Sequence, residues 1–320
     1  MRLFKIYAVA VMVSLSNAVG AAGYPAEPIK LIVPYSPGGG TDTMARLLGK
    51  ELSDELKVPV VIENKPGAAG NIGTSTVARA ESDGYTLLFT SSGHVINPSL
   101  FANLPFDPLK DFTPIAQLAV GPSVLVVNAN SNFKSVSQLI ESAKAKEGLT
   151  FGSAGLGQPT HIAAEKFAVQ ANAKVVHIPY KGSGAAELGL AAGDIDFLVD
   201  SIPAALPFIR SNKTRALAVS GAKRFPLLKD VPTLDESGLK GFSFVTWWGI
   251  MAPKNLPVER VQILEKAIAK AMSSSMMQER FIAMGAEPEL KGPQEFKTYI
   301  ASELGTYKNL ISTLGIQPNN

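Results

Sequence analysis

Cysteine is absent from the 320 residues, histidine occurs three times, and charged residues make up only 18% of the chain. A disulfide framework, a thiolate nucleophile and a cysteine metal site are thereby excluded. H-x-x-x-H spacing and clustered carboxylates are missing too, so no metal centre is expected. No Lys/Arg run exceeds two residues, which argues against a nucleic-acid partner. Beyond the first 15 residues nothing approaches 18 uninterrupted apolar residues, so the body of the chain carries no expected membrane span. What remains is an ordinary globular composition, 46% hydrophobic with 28 glycines and 22 prolines, and a length for which two domains are the expectation.

The N-terminus departs from that average. Arg2 and Lys5 precede an apolar run from Ile6 to Leu15, and small residues follow in NAVGAAG. This is the pattern of a cleaved secretory signal, with an h-region too short to cross a bilayer. Cleavage is expected within Gly20–Gly23, leaving a mature chain that begins near Tyr24. Loss of Arg2 and Lys5 lowers the formal net charge from +3 to +1.

The next stretch organises the rest. Leu31-Ile32-Val33, with Tyr35 close by, reads as a buried strand. It breaks at Pro37 into Gly38-Gly39-Gly40-Thr41-Asp42, and Met44, Leu47, Leu48 and Leu52 then recur at helical spacing. A glycine turn opening a helix leaves backbone N–H groups unpaired at the positive end of the helix dipole, an arrangement suited to an anion. Further strand, glycine loop and helix patterns follow: Val58–Glu63, Asn64–Asn71, Ile72–Arg79 and Tyr85–Phe89. Phe112–Val127 reads as further strands, and Ser135–Lys146 as a helix. A second round begins at Leu149: strand, Gly152–Gly157 loop, helix Thr160–Ala171, strand Val175–Ile178, loop Pro179–Gly184, helix to Ala191, strand Ile195–Val199. Nearly the same spacing separates the paired loops in each round, Gly38 to Gly67 and Gly152 to Gly182. Strands at Ala216–Ser220 and Phe242–Met251 come next, and a helical tail covers Pro257–Met272, Met276–Met284 and Gln294–Leu314. The tail has no lobe of its own, so it is expected to return to the first, with Val120–Val127 and Phe242–Met251 as crossing hinge strands.

Four loops, Gly38–Asp42, Ser91–Asn97, Gly152–His161 and Tyr180–Gly184, fall at carboxyl ends of predicted strands, where open α/β sheets bind ligands. Taken alone, the first is equally well a tight turn. A phosphate loop would need GxxxxGK[ST], and neither that nor GxGxxG is present, so a carboxylate fits the loop better. Phe151-Gly152-Ser153-Ala154-Gly155 has the S-x-G end of a nucleophile elbow, with Phe where the first glycine belongs, which keeps open an exported serine hydrolase using Ser153 and His161. His161 at a helix start could donate to a ligand, His94 could touch a cleft or cap a turn, and His177 reads as a sheet residue. Of Trp247 and Trp248, alternation turns one to the core and leaves the other to wall a cleft.

YPAEPIKLIVPYSPGGGTDTMARLL, ENKPGAAGNIG, DGYTLLFTSSGHVINPSL, FGSAGLGQPTHIAAE, IPYKGSGAAE and EFKTYIASELGTYKNLI together resemble the tripartite tricarboxylate transporter receptors, also called the Bug family of solute-binding proteins. The resemblance covers essentially the whole mature chain. It implies a periplasmic, type II (Venus-flytrap) α/β binding protein, each lobe a mainly parallel sheet flanked by helices. That division gives a signal peptide at 1–23, one lobe from 24–123 with 245–320, and the other from 124–244. It also implies capture of a small carboxylate or amino-acid ligand for a membrane transporter, by a monomer without cofactor. A sensor kinase as partner would use the same clamp. Carried over by position, the ligand-binding residues are Gly38, Gly39, Gly40, Thr41 and Asp42 with Ser91, Ser92, His94 and Asn97 on one side. On the other are Gly152, Ser153, Ala154, Gly155, Thr160, His161, Tyr180, Lys181, Gly182 and Asp200. Two departures stand out: Ser211-Asn212-Lys213 lacks the family's glycine before the basic residue, and Gly40 lengthens a loop often only two glycines long.

Overall fold

The structure, a computed structural model, describes residues 23–145 and 148–316. The expected signal segment therefore lies outside the described residues except for Gly23. Among the described residues ten strands and ten helices mostly alternate. The first round is β1 (Ile29–Val33), α1 (Gly40–Leu56), β2 (Val60–Asn64), α2 (Asn71–Ala78), β3 (Thr86–Ser91) and the short α3 (Gly93–Ile96). Then come β4 (Phe112–Asn128), α4 (Val136–Ala145), β5 (Leu149–Ser153), α5 (Pro159–Ala171), β6 (Val175–Pro179), α6 (Ser183–Ala192), β7 (Phe197–Ser201), α7 (Ile202–Arg210) and β8 (Thr214–Val219). The chain closes with β9 (Val245–Pro253), α8 (Val258–Ser273), α9 (Ser275–Met284), β10 (Glu287–Lys291) and α10 (Pro293–Thr313).

The strands form one curled mixed sheet in the order β2-β1-β3-β9-β4-β7-β5-β6, with β8 and β10 also paired to β4. Among the named strands parallel pairing is confined to β2-β1-β3 and β7-β5-β6, each served by crossover helices, and the strands joining these two sets run antiparallel. Seventeen residues long, β4 is one strand where the sequence suggested several. Its first part pairs with β9, from Phe112↔Pro253 to Pro122↔Val245, and its last part with β7, from Ser123↔Ser201 to Val127↔Phe197. The change of partner falls at Pro122, a residue with no N–H to offer a ladder.

Three apolar clusters fill the layers. One joins β1, β3 and the first part of β4 to α1, α8 and α9. Another seats α6 and α7 on the last part of β4. The largest continues from α5 and β5 through Trp247 to Phe296, Ile300 and Tyr307 of α10, so the C-terminal helix packs across the middle of the sheet. Three elements lie outside the sequence-based reading, the short α3 within the expected loop Ser91–Asn97 among them. Helix α7 was masked by Pro203 and Pro207: the first occupies the tolerated opening turn, whereas the second sits inside the helix. Strand β10 is polar and contains Pro288, as befits an edge strand pairing only with residues 117–120 of β4.

Candidate functional site

A cavity of about 550 Å³ opens where the two parallel sets face each other. One wall comes from Pro34, Tyr35 and Ser36 after β1, the start of α1, the turn 66–70, Ser91, Phe101, and Thr246 and Trp248 of β9. The opposite wall is the 154–160 segment, Tyr180–Ser183 and Ser201, and Ser123 lies at the crossing. No lining residue is acidic, and Lys181 is the single lysine or arginine among them.

Four helices begin at this cavity, and none of the four has a side-chain cap: α1 after Gly39, α5 after Gln158, α6 after Gly182 and α7 after Ser201. The lack of a cap does not by itself set these four apart, since α8 and α10 away from the cavity also have none. Helix α9 is capped by Ser274, which accepts from the Met277 N–H at 3.2 Å. What sets the four apart is the space they face. The first N–H groups of a helix have no intrahelical partner, so uncapped starts facing one space form a set of anion donors. Gly182 takes φ 104°, a left-handed-side backbone that lets the PYKG turn reach α6 and bring Ser183 to the cavity.

The glycine turn before α1 is braced from behind. Asp42 is 3% exposed and accepts from the Gly38 N–H at 2.9 Å, from Arg46 Nε at 3.0 Å and from Asn64 Nδ2 at 2.9 Å. Burial alone would push its carboxyl up, but these partners outweigh burial and hold it below the usual aspartate range. Its charge is thus spent inside the turn. Thr41 is fixed from the side by Trp248, whose Nε1–H donates to Thr41 Oγ1 at 3.1 Å. Trp248 faces the cavity, whereas Trp247 packs edge-on against Phe296 in the core.

Of the residues expected from the sequence, Gly39, Gly40, Thr41, Ser91, Ala154, Gly155, Thr160, Tyr180, Lys181 and Gly182 line the cavity. The others do not. Gly38 and Asp42 form the brace just described. Ser92 is buried and accepts the Trp247 N–H. His94 is enclosed by Phe106 and Phe112, with Nε2 on the Pro108 carbonyl at 2.9 Å, so it neither touches the cleft nor acts from it. Asn97 holds the 66–70 turn by donating to the Ala69 carbonyl and to Asn71 Oδ1. At Gly152 an added Cβ would lie 2.4 Å from Ile195, so that glycine serves close packing instead of a ligand.

The 153–157 loop also differs from expectation. Its N–H groups are used internally: Ala154 donates to Thr160 Oγ1, Gly155 to Ser153 Oγ, and Gly157 to His161 Nδ1. The Ser153–His161 pair imagined for a hydrolase is not formed. Ser153 is 1% exposed, its Oγ meets His177 Nε2 at 2.6 Å, and His161 stacks flat on His177 with ring centres 4.1 Å apart. Burial, and secondarily His161, lower the His177 pKa to about 4, so the ring is neutral in this packing. Asp200 is likewise removed from the cavity wall, lying behind Ser183 and Ser201.

Sequence reasoning missed the 66–70 turn, and also Tyr35, Ser36, Phe101, Ser123, Gln158, Ser183, Ser201 and Thr246. Ser183 and Ser201 had a readable signal, each being a hydroxyl residue at the junction of a strand or glycine turn with a helix. Ser123 and Thr246 lie inside strands, where nothing local marks a cavity.

This geometry, a curled sheet whose two parallel sets turn helix starts toward a shared space, is that of the periplasmic solute-binding proteins. The chain belongs to the tripartite tricarboxylate transporter family receptors, whose family profile matches residues 44–316. It is 37% identical to Protein BugT of Bordetella pertussis over 304 residues, 94% of this chain and 93% of that one. Among solved structures it is similar to R. palustris Rpa4515 with adipate, at 32% identity and TM-score 0.90, covering 92% of this chain and 100% of that one. It is also similar to MatC (Rpa3494) from Rhodopseudomonas palustris with bound malate, at 30% identity and TM-score 0.86, with 90% and 100% of the two chains covered. The family is one of solute-binding receptors, not of enzymes. Among the described residues no helix is long and apolar enough to cross a membrane.

Proposed function

We propose that the chain is a periplasmic receptor that captures a small carboxylate-bearing solute between two lobes and delivers it to a tripartite tricarboxylate-type transporter. The observation that carries this reading is the convergence of four uncapped helix starts on one cavity with no acidic lining residue. A carboxylate placed there meets backbone N–H groups and the hydroxyls of Thr41, Ser91, Thr160, Ser183 and Ser201, while Tyr35, Phe101 and Trp248 give apolar cover to its carbon skeleton. Relatives bound to adipate and malate support the ligand class.

In this reading the lobes are 24–123 with 245–320, and 124–244, and closure bends the chain where β4 changes partner and where the chain re-enters at β9. Backbone contacts made only on closure would retain the solute. Residues 1–23 act as the export signal, and the mature protein works as a monomer. Of the residues expected to bind, those that line the cavity touch the solute; Asp42, Asn97, Ser153 and His161 hold the loops that do.

A thermal-shift titration of the mature protein against mono- and dicarboxylates, adipate and malate among them, tests the proposal. A bound acid raises the midpoint progressively with concentration, by RT ln(1 + [L]/Kd) in free energy. If neutral isosteres shift the midpoint as much as the acids do, carboxylate capture is wrong.

A further inference from the structure

Behind the second wall of the cavity two carboxyl groups are buried together. Glu187 of α6 is 0% exposed and Asp200 at the end of β7 is 1% exposed. Asp200 Oδ1 accepts from Ser183 Oγ at 2.8 Å and from the Ser201 N–H at 2.7 Å. Its second oxygen and both oxygens of Glu187 are buried without any hydrogen-bond partner. Ser183 and Ser201 are themselves cavity-lining residues, so a single side chain separates the acid pair from whatever the cavity holds.

Among the described residues neither carboxyl forms an ion pair. β4 and β5 contain no ionisable side chain, and α6 has none besides Glu187. Arg215 of β8 spends its guanidinium on the Ala129 and Phe133 carbonyls, and Arg210 is exposed at the far end of α7. Tyr180, from the turn before α6, packs against Gly189. Two unpaired carboxylates confined together without a counter-charge cannot both stay ionised.

Resting on the receptor reading above, we propose that the Glu187–Asp200 pair is a proton-binding site linked to the cavity: it holds a proton when an anion is captured and weakens capture when it ionises. The uncommitted Oδ2 of Asp200 and the Glu187 carboxyl are the atoms between which that proton resides. With the pair singly protonated, Asp200 Oδ1 is a poorer acceptor, and the Ser183 hydroxyl hydrogen is released toward a carboxylate in the cavity. With the proton gone, the hydrogen is drawn back to Asp200 and a further negative charge stands one residue behind the bound anion. Burial sets the direction: it pushes Asp200 up to about 6 and, with the neighbouring Asp200 charge, pushes Glu187 well above its usual range. A bound anion raises both further, so capture takes up a proton and affinity falls as pH rises.

The experiment is calorimetric titration of the mature protein with adipate and malate at pH 6, 7 and 8, in buffers of different ionisation enthalpy. Beside it, infrared spectra of the ligand-free protein are recorded for the protonated-carboxyl carbonyl band. The wild type is expected to take up a fraction of a proton on binding and to bind several-fold more weakly at pH 8 than at pH 6. Glu187→Gln holds the pair at a single negative charge, its amide donating to Asp200 as the shared proton does in the wild type. It is expected to bind as tightly as the wild type at pH 6, independently of pH, with no proton uptake and no carbonyl band. Asp200→Asn is likewise expected to bind independently of pH but with the Glu187 carbonyl band retained, a spectral contrast between the two variants that mere damage to packing would not produce. Binding without proton uptake, or equal pH slopes in wild type and Glu187→Gln, overturns the proposal. So does a wild-type spectrum lacking the band at pH 7, whatever binds. If no acid on the panel binds, the receptor reading fails instead, and the band still reports whether the pair is protonated.

Discussion

Ser123 and Ser220 hold each other by two hydrogen bonds: the Ser123 N–H donates to Ser220 Oγ at 2.7 Å, and the Ser220 N–H donates to the Ser123 carbonyl at 2.8 Å. Ser220 Oγ then donates onward to the Phe244 carbonyl at 2.6 Å, and the Phe244 N–H returns to the Ser220 carbonyl. One fully buried hydroxyl thus ties together the two places where the chain passes between the parallel sets. Ser220→Ala leaves a buried N–H and a buried carbonyl unpartnered, a loss of about 2 kcal/mol. Urea unfolding measures it, and a change below about 0.5 kcal/mol would mean that water takes over the hydroxyl's role.

Gly40 marks a second contact between the walls. A Cβ added there would lie 3.1 Å from both Pro203 Cβ and Ser201 Oγ at the start of α7. Gly40→Ala should therefore hinder approach of α7 to α1 while leaving each wall intact. Overpacking of this kind costs about 1–3 kcal/mol, or roughly five- to 150-fold in Kd. Calorimetry on whichever acid binds the wild type checks the affinity, and an unchanged Kd would show that the walls do not meet at Gly40 in the bound state.

The 66–70 turn stores backbone strain. Ala68 and Ala69 take φ of 47° and 56°, in a region that disfavours a Cβ. Asn97 holds Ala69 in place through its carbonyl. Ala69→Gly should stabilise the fold by about 1 kcal/mol, read as a raised thermal midpoint. Asn97→Ala should do the reverse and loosen the cavity wall, so a neutral result for both would remove the strain argument.

Acid should destabilise the protein through His94. Burial lowers its pKa to about 4, with Nε2–H given to Pro108 and Nδ1 left bare among aromatic rings. The unfolded chain binds a proton below about pH 6.5, and the folded one does not until about 4, so stability falls as pH drops through that window. The loss attributable to His94 is of the order of 3 kcal/mol at full development. His94→Gln, which keeps a donor for Pro108, should flatten the unfolding free energy across that window.

Much of this fold was legible because the signals were local. The run from Ile29 to Leu52 carries an apolar strand, a glycine break and an amphipathic helix in unbroken succession, and all three form where expected. The second round is equally regular. Elements whose existence depends on a distant partner were not legible: β10 is polar and becomes a strand only against β4, and α7 contains a proline that local rules forbid. The site divides in the same way. Glycine turns announce Gly39 to Thr41 and Tyr180 to Gly182, yet a turn's composition does not say whether its N–H groups are free. In 153–157 the side chains of Ser153, Thr160 and His161 claim them, which shows only once the loop is folded. Asp200 was readable as an acid at a strand end, but its burial behind two serines was not.

Strand β9 lies between β3 and β4 in space, although more than a hundred residues separate it from either in sequence. The sheet around β1–β3 therefore lacks its centre until the chain beyond residue 244 is available, whereas β5, β6 and β7 are near neighbours along the chain. During synthesis the second parallel set can condense early, while the first must wait, its edge unpaired, for the final quarter of the polypeptide. The late arrival of β9 should make assembly of this half the slower part of folding, and the part more exposed to aggregation.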